Sequence, residues 1–319
     1  SFNLAQCAGK SSLMHVIITG LVETYPPEEL QLYLIDLKGG VEFKQYALKR
    51  LPHAAVVAID CEREFALSAL DALCMEMRRR MNLYRASTAS VTSMYRNTGG
   101  QLPRILLVMD EFQKLLSEND DLADKARSKL EFLLKEGRGF GIHLLLGTQS
   151  LKGILMRGGS LEQIAMRIVL QCSPEDSREV LANDNLAGSV LPKYHGIYND
   201  HQGRKDANVQ FKAAYLTREE NGQRLAALSA RCEDKKWQAV VFEGNEKTAI
   251  SECPGYSEVL ASREYLVPGK ASRIWLGEPI AIQPPVEVLL DPGRVGIFLP
   301  LCRTRKMEAV FFTTHCFHC

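Results

Sequence analysis

Short apolar runs alternate with amphipathic stretches along the first two-thirds of the chain, and that alternation sets the fold class. HVIITGLVETY (15–25) carries its apolar positions at helical spacing, and Pro26-Pro27 ends it. LQLYLIDLKGG (30–40), AAVVAID (54–60), ILLVMDEF (105–112), GIHLLLGTQ (141–149) and RIVLQC (167–172) are brief apolar runs bounded by breakers. Such runs suit strands buried on both faces. Between them, Phe65, Ala69, Leu73, Met77, Met81 and Tyr84 mark one core face of a long helix from about 62 to 85. A second helix, from about 122 to 136, closes at Gly137. Ser173-Pro174-Glu175-Asp176 opens another, with a serine cap, proline at the first position and acids in the first turn. Strand and helix in alternation predict an α/β fold with a mostly parallel central sheet flanked by helices.

Near residues 196–203 the pattern changes to strand, turn, strand, and VQFKAAYL (209–216) completes a hairpin-like edge that closes the domain. The expected organisation is a main domain over 1–217, a charged helix and linker over 218–273, and a C-terminal extension over 274–319 whose strands begin something new. Only Phe2 to Leu4 remain of the strand that should feed the first loop, so the sequence reads as N-terminally incomplete. VGIFLPLCRTRK, after residue 290, reads as a truncated or frame-disturbed end.

Composition changes this picture little. A chain of 319 residues, 46% hydrophobic and 24% charged, is an ordinary globular protein. With a formal net charge of +1, any polyanionic partner must be met by a local patch. Nine scattered cysteines fit reduced thiols. No apolar run reaches the roughly 18 residues of a membrane span, so a cytoplasmic location is expected, with any membrane association supplied by parts outside this chain. The tail His315-Cys316-Phe317-His318-Cys319 offers zinc-type donors. They are too crowded to close on one tetrahedral ion, and zinc is not expected.

The candidate chemistry starts in AQCAGKSSLMH (5–15). Gly9-Lys10-Ser11-Ser12 is the back half of a Walker A loop, in which backbone NH groups cradle phosphates, the lysine reaches the terminal phosphates and a hydroxyl meets Mg2+. The front half departs from the pattern: Leu4 stands where a glycine is usual, and Cys7 occupies the middle. Asp110 and Glu111 end the most apolar strand, where one carboxylate can hold a metal shell and the other polarise a water. Gln149 ends the next strand, within reach of a terminal phosphate. All three motifs fall at strand carboxyl ends, where ligands bind in such sheets.

GKSSLMH, LIDLKGG, EMRRRMNLY, ILLVMDEFQKLL, GRGFGIHLLLGTQ and RIVLQCSPEDSREVL, in this order, resemble the motor domain of the FtsK/SpoIIIE family, over roughly residues 1 to 216. The resemblance implies a RecA-like P-loop NTPase that assembles as a homo-hexamer around double-stranded DNA and translocates it by ATP hydrolysis. It implies Ala8, Gly9, Lys10, Ser11 and Ser12 as the phosphate loop for ATP, Ser11 and Asp110 as the Mg2+ contacts, Glu111 as the catalytic carboxylate and Gln149 as the sensor. Ring ATPases complete each site with an arginine from a neighbour; Arg138, Arg167 and Arg178 are the candidates, with Arg167 put forward. Arg78-Arg79-Arg80 fan about 200° around a helix, and with Arg85 and Arg96 they are the expected phosphate-backbone contacts. The extension over 274–319 then reads as the start of a second, truncated ATPase-like domain. Two alternatives to DNA translocation stand: an EccC-like secretion ATPase with a protein substrate, and a degenerate, non-hydrolysing assembly module.

Overall fold

The computed structural model describes residues 2–5, 9–39, 42–85, 102–151, 163–232, 239–244 and 272–290. Two units divide the chain, Ser1–Asn245 and Glu246–Cys319.

In the first unit, β1 (Phe2–Ala5) leads into α1 (Lys10–Thr24). The chain continues through β2 (Leu30–Asp36), α2 (Lys44–Leu48), β3 (Ala54–Ile59), α3 (Arg63–Arg85) and β4 (Arg104–Asp110). After α4 (Gln113–Leu116) and α5 (Asp121–Glu136) come β5 (Ile142–Gly147), β6 (Met166–Leu170) and α6 (Pro174–Val180). The unit closes with β7 (His195–Asn199), β8 (Val209–Lys212), α7 (Arg218–Ala230) and β9 (Val240–Glu243).

Among the described residues these strands form one sheet in the order β8-β7-β6-β1-β5-β4-β2-β3-β9. Pairing is parallel from β6 to β9 and antiparallel at β7 and β8, so the expected mostly parallel sheet with a hairpin edge is present. The core follows from alternation along the strands. Leu32 and Leu34 of β2 and Leu106 and Val108 of β4 join Leu13, Met14, Ile18 and Val22 of α1 and Leu225 of α7 in one cluster. The intervening Ile35, Leu107 and Met109 are equally buried. A sheet buried on both sides needs helices on both sides, and α3 packed on α5 supplies the second layer.

The helix boundaries have local causes. Asp120 caps α5 by accepting from Ala123 N, and Ser173 caps α6 by accepting from Asp176 N with Pro174 at the first position. Thr217 and Glu220 form a reciprocal capping box on α7.

The first unit runs past the expected boundary at 217. Leu225 of α7 is fully buried, Asn221 accepts a hydrogen bond from Thr19 Oγ1 at 2.7 Å, and β9 pairs in parallel with β3. The helix reads as charged and detached because its buried contacts rest on few residues, and a four-residue strand gives little periodic signal. Within the second unit, β10 (Ser272–Gly277) and β11 (Val286–Leu290) pair as an antiparallel hairpin. The rest of the expected extension, including the His315–Cys319 tail, and most of the expected linker lie outside the described residues.

The arginine run on α3 is divided between core and surface. Arg80 is 2% exposed. Its Nε donates to Glu76 at 2.8 Å, Nη1 to Phe140 O at 2.9 Å and Nη2 to Pro103 O at 2.7 Å. Arg79 pairs with the same Glu76 at 2.6 Å but is exposed, as are Arg78 and Arg85, and Arg96 lies outside the described residues. Arg80 is thus tied to its own domain, which contradicts a phosphate-facing patch made by the whole run. Arg80→Ala would orphan two carbonyls beside β4 and β5. We expect it to lower unfolding free energy by about 2–4 kcal/mol, measured by denaturant titration, with Arg78→Ala as a control that stays within about 0.5 kcal/mol.

Candidate nucleotide site

The site forms where the carboxyl ends of β1, β5 and β4 lie side by side. Gly9 caps α1 at φ 131°, a conformation closed to L side chains without strain, and Lys10 opens the helix. Cys7 and Ala8 lie outside the described residues. Leu4, the other departure from the Walker pattern, is a strand residue: its backbone pairs with Gly147 of β5 and Ile168 of β6. A leucine is at home in such a position, so the missing glycine falls in the strand that feeds the loop.

Lys10 joins the two halves of the site. Its Nζ lies 2.6 Å from Asp110 Oδ1 and also pairs with Glu111, with all three side chains buried. Glu111 sits at φ 53°, uncommon for a residue with a side chain, and is held there by its neighbours. Its N donates to Asp110 Oδ1 at 2.9 Å, and Phe112 N donates to Gly147 O at 3.1 Å. Burial alone would raise the Glu111 pKa. Hydrogen bonds from Lys10 and Gln113 and the charges of Lys10 and Lys38 outweigh it, holding the carboxylate below its ordinary range.

Two participants escape a reading of the sequence. Gly147 has no room for a side chain: a Cβ there would stand 2.8 Å from Asp110 Oδ1 and 3.2 Å from Met14 Sδ. Asp36 is the register partner of Asp110 across β2 and β4 and is fully buried, with Oδ1 accepting from Lys38 N at 2.8 Å and Oδ2 unpartnered. Burial first, then the nearby Asp110, push its pKa up to about 6. LIDLKGG hints at it, since an acid ends that strand too, but only the strand order places it beside Asp110.

Gly9, Lys10, Ser11 and Ser12 share a cavity of about 700 Å3 with Lys38 and Gln149. Ser11 touches Glu42, whose carboxylate is held below its usual range first by His15, at 3.2 Å, and further by the Ser11 hydroxyl. Hydroxyl and carboxylate oxygens are the donors a hard divalent cation takes, and Mg2+ bound through phosphates needs few from the protein. No cluster of three His, Cys, Asp or Glu ligands occurs among the described residues. Ser11 and Asp110 carry oxygen donors of the kind Mg2+ takes beside ATP phosphates.

The candidate arginines separate. Arg167 is 8% exposed, and its guanidinium donates to the carbonyls of Ile164, Val180 and Leu181, inside its own domain. That placement does not present it to a neighbouring subunit. Arg138 is exposed in the short turn Gly137–Phe140 before β5, at the strands' amino edge. Arg178 is exposed on α6, which starts after β6 at the carboxyl edge.

A glycine-capped helix with its lysine set against two acids from a neighbouring parallel strand, on a RecA-like sheet, defines a P-loop ATPase domain. Residues 5–155 of this domain match the sequence profile of the FtsK/SpoIIIE family. The ESX-4 secretion system protein EccC4 of Mycobacterium tuberculosis is 37% identical over 221 residues, covering 66% of this chain and 17% of its own length. The cytoplasmic domain of the Thermomonospora curvata type VII secretion ATPase EccC superposes with a TM-score of 0.59 at 28% identity, over 72% of this chain and 27% of that one. EssC (ATPases 2 and 3) of Geobacillus thermodenitrificans shares the fold, with a TM-score of 0.63 at 16% identity over 90% of this chain and 53% of that one. The chain thus spans about one-sixth of the length of the EccC4 protein it matches. No helix among the described residues is long and apolar enough to cross a membrane.

Two outcomes are expected from this geometry. Gly147→Ala should displace the Asp110 carboxylate and lower ATP turnover by about tenfold or more, a barrier increase of about 1.4 kcal/mol, while thermal unfolding shows the fold retained; unchanged turnover would mean that Asp110 can move freely. For Asp36 the sign follows from proton binding. Between about pH 4 and 6 the unfolded chain has lost this proton and the folded one keeps it, so stability falls as pH rises, by up to about 3 kcal/mol in all. Asp36→Asn should remove that fall, seen as a pH-dependent gain over wild type in denaturant midpoints without Mg2+ or nucleotide. Parallel pH curves would refute it.

Proposed function

We propose that this chain is an ATP-hydrolysing motor unit of a secretion apparatus, acting on the cytoplasmic side on a protein substrate. The observation that carries the catalytic half is the contact of Lys10 with Asp110 and Glu111 across the end of β5. The EccC relatives, described as secretion system proteins, support the cargo, and they favour protein over DNA. Bound ATP with Mg2+ supplies the phosphoanhydride and a Lewis acid. In this reading the loop of Ala8, Gly9, Lys10, Ser11 and Ser12 holds the phosphates, and Ser11 and Asp110 hold the metal. As phosphates take up Lys10, Glu111 is released to accept a proton from water, and Gln149 contacts the terminal phosphate. Assembly as a homo-hexamer lets a neighbour's arginine complete the site, and exposure at the carboxyl edge favours Arg178 over Arg167.

No observation favours duplex DNA as the cargo. Arg80 is turned inward, which removes one of the cations expected to meet phosphate. The degenerate-module reading weakens as well, because Leu4 lies in β1.

Steady-state turnover with and without duplex DNA tests both halves. Glu111→Gln should keep ATP binding and lose about 10²-fold or more in rate, Lys10→Ala should lose binding, and DNA should leave wild-type turnover unchanged. Wild-type rates in Glu111→Gln would remove the catalytic assignment. Strong stimulation by DNA would return the translocase reading.

A further inference from the structure

The phosphate loop accounts for part of the cavity only. Its wall also carries Leu170, Tyr194, His195, Ala213 and Tyr215, a group with different chemistry. Antiparallel pairing of β6, β7 and β8 brings these residues to the same sheet edge as the loop: the end of β6, the start of β7 and the residues after β8. At about 700 Å3 the whole cavity falls within the range of small-molecule sites. Two aromatic rings on its wall are left open to water, Tyr194 at 65% and Tyr215 at 76% exposure.

The backbone that carries each ring is tied down. Tyr194 sits at φ 65°, in the left-handed region. Its carbonyl accepts from Ala213 N at 2.7 Å, and His195 N closes a turn onto Pro192 O at 3.2 Å. The segment bearing Tyr215 is tied to the phosphate end, since Leu216 N donates to Ser12 Oγ at 3.4 Å. Exposed rings on a wall shared with a phosphate cradle offer π-faces to a flat heterocycle attached to that phosphate.

We propose that Tyr194 and Tyr215 form the nucleobase subsite of this ATPase domain, holding the base by aromatic stacking. The proposal rests on the nucleotide reading above and adds residues that no motif in the sequence carries. Stacking is tolerant of base identity, because every base has a π-face.

Calorimetric titration with Mg2+-ADP and, separately, Mg2+-pyrophosphate tests it. Tyr194→Asn, chosen because asparagine tolerates the left-handed backbone, and Tyr215→Ala should each weaken ADP about 5- to 150-fold, the span of base–aromatic stacking. Pyrophosphate affinity should stay at the wild-type value, and Tyr215→Phe should bind ADP as the wild type does. Lys10→Ala should weaken both ligands. If the two tyrosine variants bind ADP normally while Lys10→Ala does not, the subsite proposal falls and the nucleotide reading stands. Loss of pyrophosphate and ADP binding in equal measure in the tyrosine variants would mark the rings as structural and also overturn the proposal. If the wild type binds neither ligand, the nucleotide reading fails and the subsite fails with it.

Discussion

The bridge from Lys10 to Asp110 and Glu111 fixes the geometry on which the site depends. In the sheet β5 separates β1 from β4, so a side chain from the end of β1 meets acids from the end of β4 beside the last residue of β5. That residue is Gly147, paired with Leu4 on one side and set against the Asp110 carboxylate on the other. A strand order that set further strands between β1 and β4 would part the lysine from its acids. The bridge therefore couples a backbone fact, the order of parallel strands, to a side-chain fact, the absence of a Cβ at one position.

Charge at the same edge shows what opening the bridge would require. Asp110 and Glu111 face Lys10, Asp36 lies beside Asp110, and the half-exposed Lys38 ammonium is 3.7 Å from Glu111. Buried ion pairs are close to break-even, because desolvation offsets most of the Coulomb gain. In the proposed reading, phosphate oxygens that took up Lys10 would leave Asp110 and Glu111 short of a counter-charge, which Mg2+ would supply. The raised pKa of Asp36 comes first from burial, and the neighbouring acids add to it.

Much of the fold is legible in the sequence because buried parallel strands are written as unbroken apolar runs. LIDLKGG, AAVVAID, ILLVMDEF and GIHLLLGTQ each become a strand of the sheet, and Ser173-Pro174 caps a helix where the residue types require it. The elements that escape notice are those whose residues carry no periodic signal. α7 shows two buried positions among charges, and the four residues of β9 are anchored by pairing with β3, which lies more than 180 positions earlier in the chain. For the site, motifs single out Lys10, Asp110, Glu111 and Gln149, whereas Gly147 and Asp36 require knowledge of which strands are neighbours.

The arginines mark the limit of reading charge as surface. A guanidinium carries five donors on a long apolar stem, so it can reach water or satisfy carbonyls that strand ends leave open, and the sequence is the same in both cases. Arg80 takes the second course at Pro103 and Phe140, where α3 meets the starts of β4 and β5. Arg167 does so at Ile164, Val180 and Leu181, closing the end of α6 against β6. Each welds a helix to the sheet at a point where backbone acceptors would otherwise be buried without donors, a cost of about 1–3 kcal/mol apiece. An arginine committed in this way cannot also swing out to a neighbour's phosphate without orphaning those carbonyls. Exposed Arg178, with none of these carbonyls to hold, is free of that constraint.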